Sequence, residues 1–168
     1  MSQLLETAPT AHALPPLARR STTAPARALA DEDWPLSRAE RSRRLRALRL
    51  SILRSLTAGV TGRPKVALYV LVRDGGDPGE RRVVALAHAE RAGFEVTETF
   101  VDDAWKSDPE GRPVLARAYA ALRRSGFHGL VAASQVDISS CSSVYEQELH
   151  RLHAAGGFLH LALDETQL

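Results

Sequence analysis

Seven consecutive apolar residues, Val66 to Val72, constrain this chain more than any other feature. A run without polar alternation is too hydrophobic for a half-exposed strand and fits a central parallel strand covered on both faces. Parallel neighbours need crossovers, and the sequence supplies them. After the turn residues Asp74-Gly75-Gly76-Asp77-Pro78-Gly79, the positions Val83, Leu86, Ala87 and Glu90 trace a helix closed by Gly93. Phe94 to Val101 then sets Phe94, Val96 and Phe100 among polar residues as a strand does, and a loop from Asp102 to Gly111 follows. Leu115, Ala118, Tyr119 and Leu122 give the buried face of a second helix, with Pro113 in its first turn and Gly126 behind its end. Gly129 to Ala133 reads as a third strand. Ser143 and Glu146 have capping-box spacing ahead of a third helix that turns Tyr145, Leu149 and Leu152 inward; Gly156-Gly157 stops it before a fourth strand, Phe158 to Leu163. The expected fold class is α/β, a βαβαβαβ chain forming a small parallel four-stranded sheet with helices on both faces. A ligand would meet the carboxyl ends of the strands, in loops 73–79, 102–111 and 134–142.

That domain occupies residues 66–164, with 165–168 as a C-terminal tail. Residues 1–36 are rich in Ala, Pro and Thr, carry few large apolar side chains and read as a disordered tail. Residues 37–57 read as a basic amphipathic helix with Ser37 as N-cap, joined by a Gly- and Pro-containing linker, 58–65. Leu45, Leu48, Ile52 and Leu56 form its apolar stripe, which calls for the domain, a second copy or another protein. Arg41, Arg43, Arg44, Arg46, Arg49 and Arg54 flank the stripe as candidate contacts to DNA phosphates or an acidic partner.

Charge is divided accordingly: net −1 over residues 1–36, +8 over 37–65 and −5 over 66–168. Arg outnumbers Lys twenty to two, a bias typical of GC-rich genomes, so arginine count alone is no nucleic-acid signal. The single Cys141 closes no intrachain disulfide, and no apolar stretch reaches the ~18 residues a membrane span requires. A cytoplasmic setting without membrane contact is expected, and neither cofactor nor metal is.

The α/β segment resembles the catalytic domain of serine recombinases of the resolvase/invertase type. The resemblance rests on Val66-Ala67-Leu68-Tyr69-Val70-Leu71-Val72 as first strand, Gly93-Phe94-Glu95-Val96, Val101-Asp102-Asp103, Arg112-Pro113-Val114-Leu115 as an Arg-Pro-x-Leu helix start, Gly126-Phe127-His128-Gly129-Leu130-Val131-Ala132, and Ala154-Ala155-Gly156-Gly157-Phe158-Leu159. It implies a resolvase-like fold and, in intact members, site-specific DNA recombination through a seryl intermediate. In that family the first strand ends in Tyr-x-Arg-x-Ser, and an Asp-Arg-Leu-Ser-Arg-like pattern follows the third. Here Tyr69 matches, Leu71 stands at the arginine and Arg73 at the serine, and Val136-Asp137-Ile138-Ser139-Ser140 keeps the aspartate alone. Active members also continue past the fourth strand into a dimerisation helix and a DNA-reading domain, whereas this chain stops at Leu168.

Phosphoryl transfer of this kind needs a nucleophile and a cationic clamp. No catalytic residue is therefore assigned, and the expected pocket is Tyr69, Arg73, Asp102, Asp103, Arg112, Ser134 and Asp137. Two functions fit: a recombinase-like module without strand-transfer activity that binds DNA or protein, or a small enzyme using the acidic strand ends for a metal- or nucleotide-dependent reaction. Ser139 to Ser143, with His128 or His150 as base, is the place to look for substitute chemistry; Glu146, His150 and His153 share a helix face at metal-ligand spacing, which a solvated face explains more simply.

Overall fold

The computed structural model of the chain describes residues 36–72, 76–103, 108–124 and 126–167. The expected disorder of 1–36 therefore falls almost entirely outside the described residues, as do Arg73 and part of each of the first two loops. What is described forms one compact unit.

The strands are β1 (Lys65–Leu71), β2 (Glu95–Asp102), β3 (Gly129–Ser134) and β4 (Phe158–Leu163). All pairs are parallel and the order is β2-β1-β3-β4. Every β1 residue from Val66 to Leu71 is buried, as its uninterrupted apolar run requires. The helices are α1 (Arg38–Thr57), α2 (Pro78–Arg91), α3 (Pro113–Arg123), the single turn α4 (Gln135–Ile138) and α5 (Ser142–Ala154). Right-handed crossovers in this strand order put α2 on one face and α3 with α5 on the other. The Tyr119 hydroxyl of α3 donates to Glu148 of α5 at 2.5 Å across that second face.

Local signals placed the second and third crossover helices correctly. Leu115, Ala118, Tyr119 and Leu122 are buried on α3, as are Tyr145, Leu149 and Leu152 on α5. Three details differ from expectation. The inward face of α2 is Ala85 and Ala89, with Val83 at 64% exposure, because small side chains let a helix approach the sheet more closely than the Val83 and Leu86 side would. In β2, Thr97 is an extra residue opposite the Val66/Ala67 junction, and its hydroxyl donates to the Val66 carbonyl, so the alternation begun at Phe94 is interrupted. The capping box read at Ser143 does not form: α5 starts two residues earlier with Cys141 as N-cap, while boxes do close at Ser37–Glu40 and Ser134–Asp137.

Helix α1 is not held apart by a linker. It packs on β4 and α5, and Leu45 and Ile52 join the core with Leu48 and Leu56 against it. Of the covers open to the stripe, the chain's own domain, a second copy or another protein, the domain supplies it. The residues after β4, expected as a tail, turn back so that Glu165 is 1% exposed.

A polar network at the carboxyl ends of the strands

Parallel strands deliver β1, β2 and β3 to the same end of the sheet, and register decides which side chains meet there. Tyr69 pairs with Phe100 and Leu71 with Asp102, so the last turn of β1 lies beside the acidic end of β2. The Tyr69 hydroxyl donates to Asp102 Oδ2 at 2.9 Å. Arg112, the N-cap residue of α3 and fully buried, approaches the same hydroxyl at 3.5 Å and donates from Nη1 to the Asp137 carbonyl at 2.7 Å. Asp137, in α4, reaches back with Oδ2 to the Ser134 amide at 2.9 Å and to the Ser134 hydroxyl at 3.4 Å. Its other oxygen is ion-paired with Arg81 of α2.

Five of the seven pocket residues expected from the sequence thus converge: Tyr69, Asp102, Arg112, Ser134 and Asp137. Asp103 is exposed to solvent at the rim, and Arg73 lies outside the described residues. Arg81 is the member that sequence reasoning missed. Its signal was the small-residue spacing Arg81, Ala85, Ala89, which sets all three on one helix face.

The network is packed and its charges face one another, two guanidiniums among two carboxylates. Burial, with Asp102 as hydrogen-bond acceptor, pushes the Tyr69 hydroxyl far above its ordinary range, so it stays protonated and donates. Leu71 follows Tyr69 by two residues, shares its face and is 1% exposed. An apolar side chain therefore occupies this end of the central strand.

The substitute-chemistry candidates are scattered. His128 precedes β3 and its Nδ1 accepts from the Lys65 amide at 3.0 Å, which puts it at the amino end of the sheet, opposite the 139–143 segment. His150 and His153 are exposed on α5, and Glu146 pairs with Arg44 at 3.2 Å. Cys141 is exposed, its thiol lowered by a hydrogen bond with Ser143. Among the described residues no group of three or more His, Cys, Asp or Glu is arranged to hold a metal ion, and none of their helices is long and apolar enough to cross a membrane.

The arginines of α1 divide into two sets. Arg49 is 2% exposed, inside an ion pair with Glu165 at 2.7 Å, and cannot reach DNA or a partner from there; its expected contact role is corrected by that burial. Arg46 pairs with Asp164 at 2.8 Å, and Arg44 with Glu146. Arg41, Arg43 and Arg54 face solvent, with Arg41 and Arg54 donating to backbone carbonyls of their own helix region.

A parallel sheet in the order 2-1-3-4 with this helix arrangement has the fold of serine recombinase catalytic domains. The chain is similar over 58% of its length to the N-terminal catalytic domain of TP901-1 integrase, with 18% identity, a TM-score of 0.53 and 76% of that chain covered. It is similar over 58% of its length to the C-terminal catalytic domain of ISC1926 TnpA, an IS607-like serine recombinase, with 13% identity, a TM-score of 0.52 and 70% of that chain covered. No protein-family model matches the chain, and no curated protein matches it.

Proposed function

We propose that this chain is a serine-recombinase-like module that lacks strand-transfer activity and binds DNA or a protein through the outer face of α1. One observation carries the reading: at the carboxyl ends of the strands Arg81 is ion-paired with Asp137, buried Arg112 donates to the Asp137 carbonyl, Tyr69 donates to Asp102, and Leu71 is buried beside them. A phosphodiester there would have to displace internal partners from both arginines, and a protonated tyrosine offers no nucleophile. Arg43 and Arg54, eleven residues apart and so on one side of α1, are exposed, the placement that phosphate contacts require, whereas Arg41 borders the start of α5 beside Cys141.

The test pairs two assays on the full chain. Incubation with labelled supercoiled DNA, followed by denaturing electrophoresis, yields no covalent protein–DNA species; recovering one overturns the assignment of inactivity. Retention of duplex DNA falls steeply with salt and is lost in the Arg43→Glu/Arg54→Glu variant, whose exposed positions leave the fold intact. Retention that survives this reversal overturns the DNA part of the reading. Removal of α1 is unsuitable, because Leu45 and Ile52 belong to the core.

A further inference from the structure

Beneath α1 lies a cavity of ≈300 Å3, lined by Arg46, Arg49, His88, His160 and Asp164 among others. The two imidazoles come from different elements, His88 from α2 and His160 from β4. Their Nε2 atoms are 2.8 Å apart and the rings stack with centroids at 4.9 Å. The edge of His160 also meets the Phe94 ring, and its Nδ1 is buried without a hydrogen-bond partner.

This contact tolerates only certain protonation states. One Nε2 must carry the hydrogen and the other must offer a lone pair. A proton on both sets two N–H groups head to head, and a charged His160 would bury an unpaired Nδ1–H as well. The surroundings supply no relief. Arg46 and Arg49 face the pair from α1 and Arg91 adds charge from α2, while the nearby acids Asp164 and Glu165 already serve Arg46 and Arg49. Phe94 adds no charge from its side.

We propose that His88 and His160 form a proton-operated latch that keeps α1 docked while neutral and releases it when both rings are protonated. Release frees Arg46 and Arg49 from their internal acids and uncovers Leu45 and Ile52. Helix α1 is the element that can move, since β4 and α2 belong to the sheet sandwich. Its connection to β1 is largely exposed and contains Gly59 and Gly62, neither of which has a neighbour within 4 Å of where a Cβ would stand. Burial, the neighbouring His88 and the Arg49 charge hold His160 down to about 4, and burial with Arg91 lowers His88. Undocking restores ordinary titration near 6.5, so proton uptake drives opening as the pH falls below that value. The latch is a property of α1 docking and stands whether or not its outer face binds DNA.

Amide hydrogen exchange of the full chain tests it, with rates corrected for intrinsic pH dependence. Protection of the α1 amides drops about tenfold or more between pH 7 and pH 5, while β1 and β3 keep theirs. In the His88→Gln/His160→Gln variant the α1 protection is independent of pH over that range. Constant α1 protection in the unaltered chain, or an equal loss in the variant, overturns the proposal. Should the variant fail to fold, histidine ring NMR of the unaltered chain decides: His160 gains its proton together with the α1 amide shifts, and titration of His160 with α1 unmoved overturns the latch.

Discussion

Arg49 and Glu165, 116 residues apart, meet as a two-point ion pair under α1, with Nε–Oε1 at 2.7 Å and Nη2–Oε2 at 2.9 Å. The Tyr145 hydroxyl donates to the same carboxylate at 2.7 Å. One contact thus ties the N-terminal helix, the C-terminal turn and α5 together. It also explains how a helix carrying so many arginines packs on a domain of net negative charge without leaving a buried cation unpaired.

Removing one partner of such a pair strands the other. Arg49→Ala is expected to lower unfolding stability by about 3–5 kcal/mol, read from urea denaturation at unchanged m-value. Arg43→Ala, at an exposed position of the same helix, leaves the midpoint where it was. Equal effects at the two sites would disprove the burial of Arg49.

Tyr69→Phe deletes the hydroxyl between Asp102 and Arg112 while keeping the ring in the core. The loss of a hydrogen bond to a buried carboxylate predicts a destabilisation of about 1–3 kcal/mol. Differential scanning calorimetry checks it, and an unaltered melting temperature would mean that the hydroxyl holds nothing in place.

Close packing at the start of β3 gives a steric prediction. A Cβ on Gly129 would lie 2.5 Å from the Phe158 ring and 2.6 Å from the Phe158 carbonyl, and strand backbone cannot swing aside. Gly129→Ala should therefore cost about 1–3 kcal/mol in chemical denaturation. Gly59→Ala, with open space around it, should be neutral or stabilising by about 0.4–1 kcal/mol; the reverse ranking would contradict the packing.

The histidine pair also sets a global pH dependence. The folded value of His160 is about 4 against an ordinary 6.5, so between these limits the unfolded chain binds more protons than the folded one. Stability accordingly rises with pH from 4 to 6.5, and falls on acidification through the same window. Urea midpoints measured at pH 5 and pH 7 should differ in that sense, and the difference should shrink in His160→Phe. A flat profile across the window would be incompatible with a buried neutral imidazole.

Much of the fold was legible because its signals are local. The Val66–Val72 run announced a central parallel strand, Pro113 marked the start of α3, and the stripes of α3 and α5 named their buried faces. The site was legible to the extent that parallel strands must end together: placing Tyr69, Asp102, Ser134 and Asp137 at strand ends brings them near one another in any right-handed βαβ chain. Arg81 escaped because α2 offers two stripes, Val83 with Leu86 and Ala87, and Arg81 with Ala85 and Ala89, and only contact with the sheet chooses between them.

By itself the sequence determined the alternation of strands and helices and the end of the sheet where polar groups gather. Those are matters of residue type and spacing, which a chain carries before it folds. Tertiary structure alone decided that α1 lies on the domain, that Arg49 is a buried structural cation, and that His88 and His160 meet. Each depends on a partner far away in sequence, and only packing can bring such a partner within hydrogen-bonding distance.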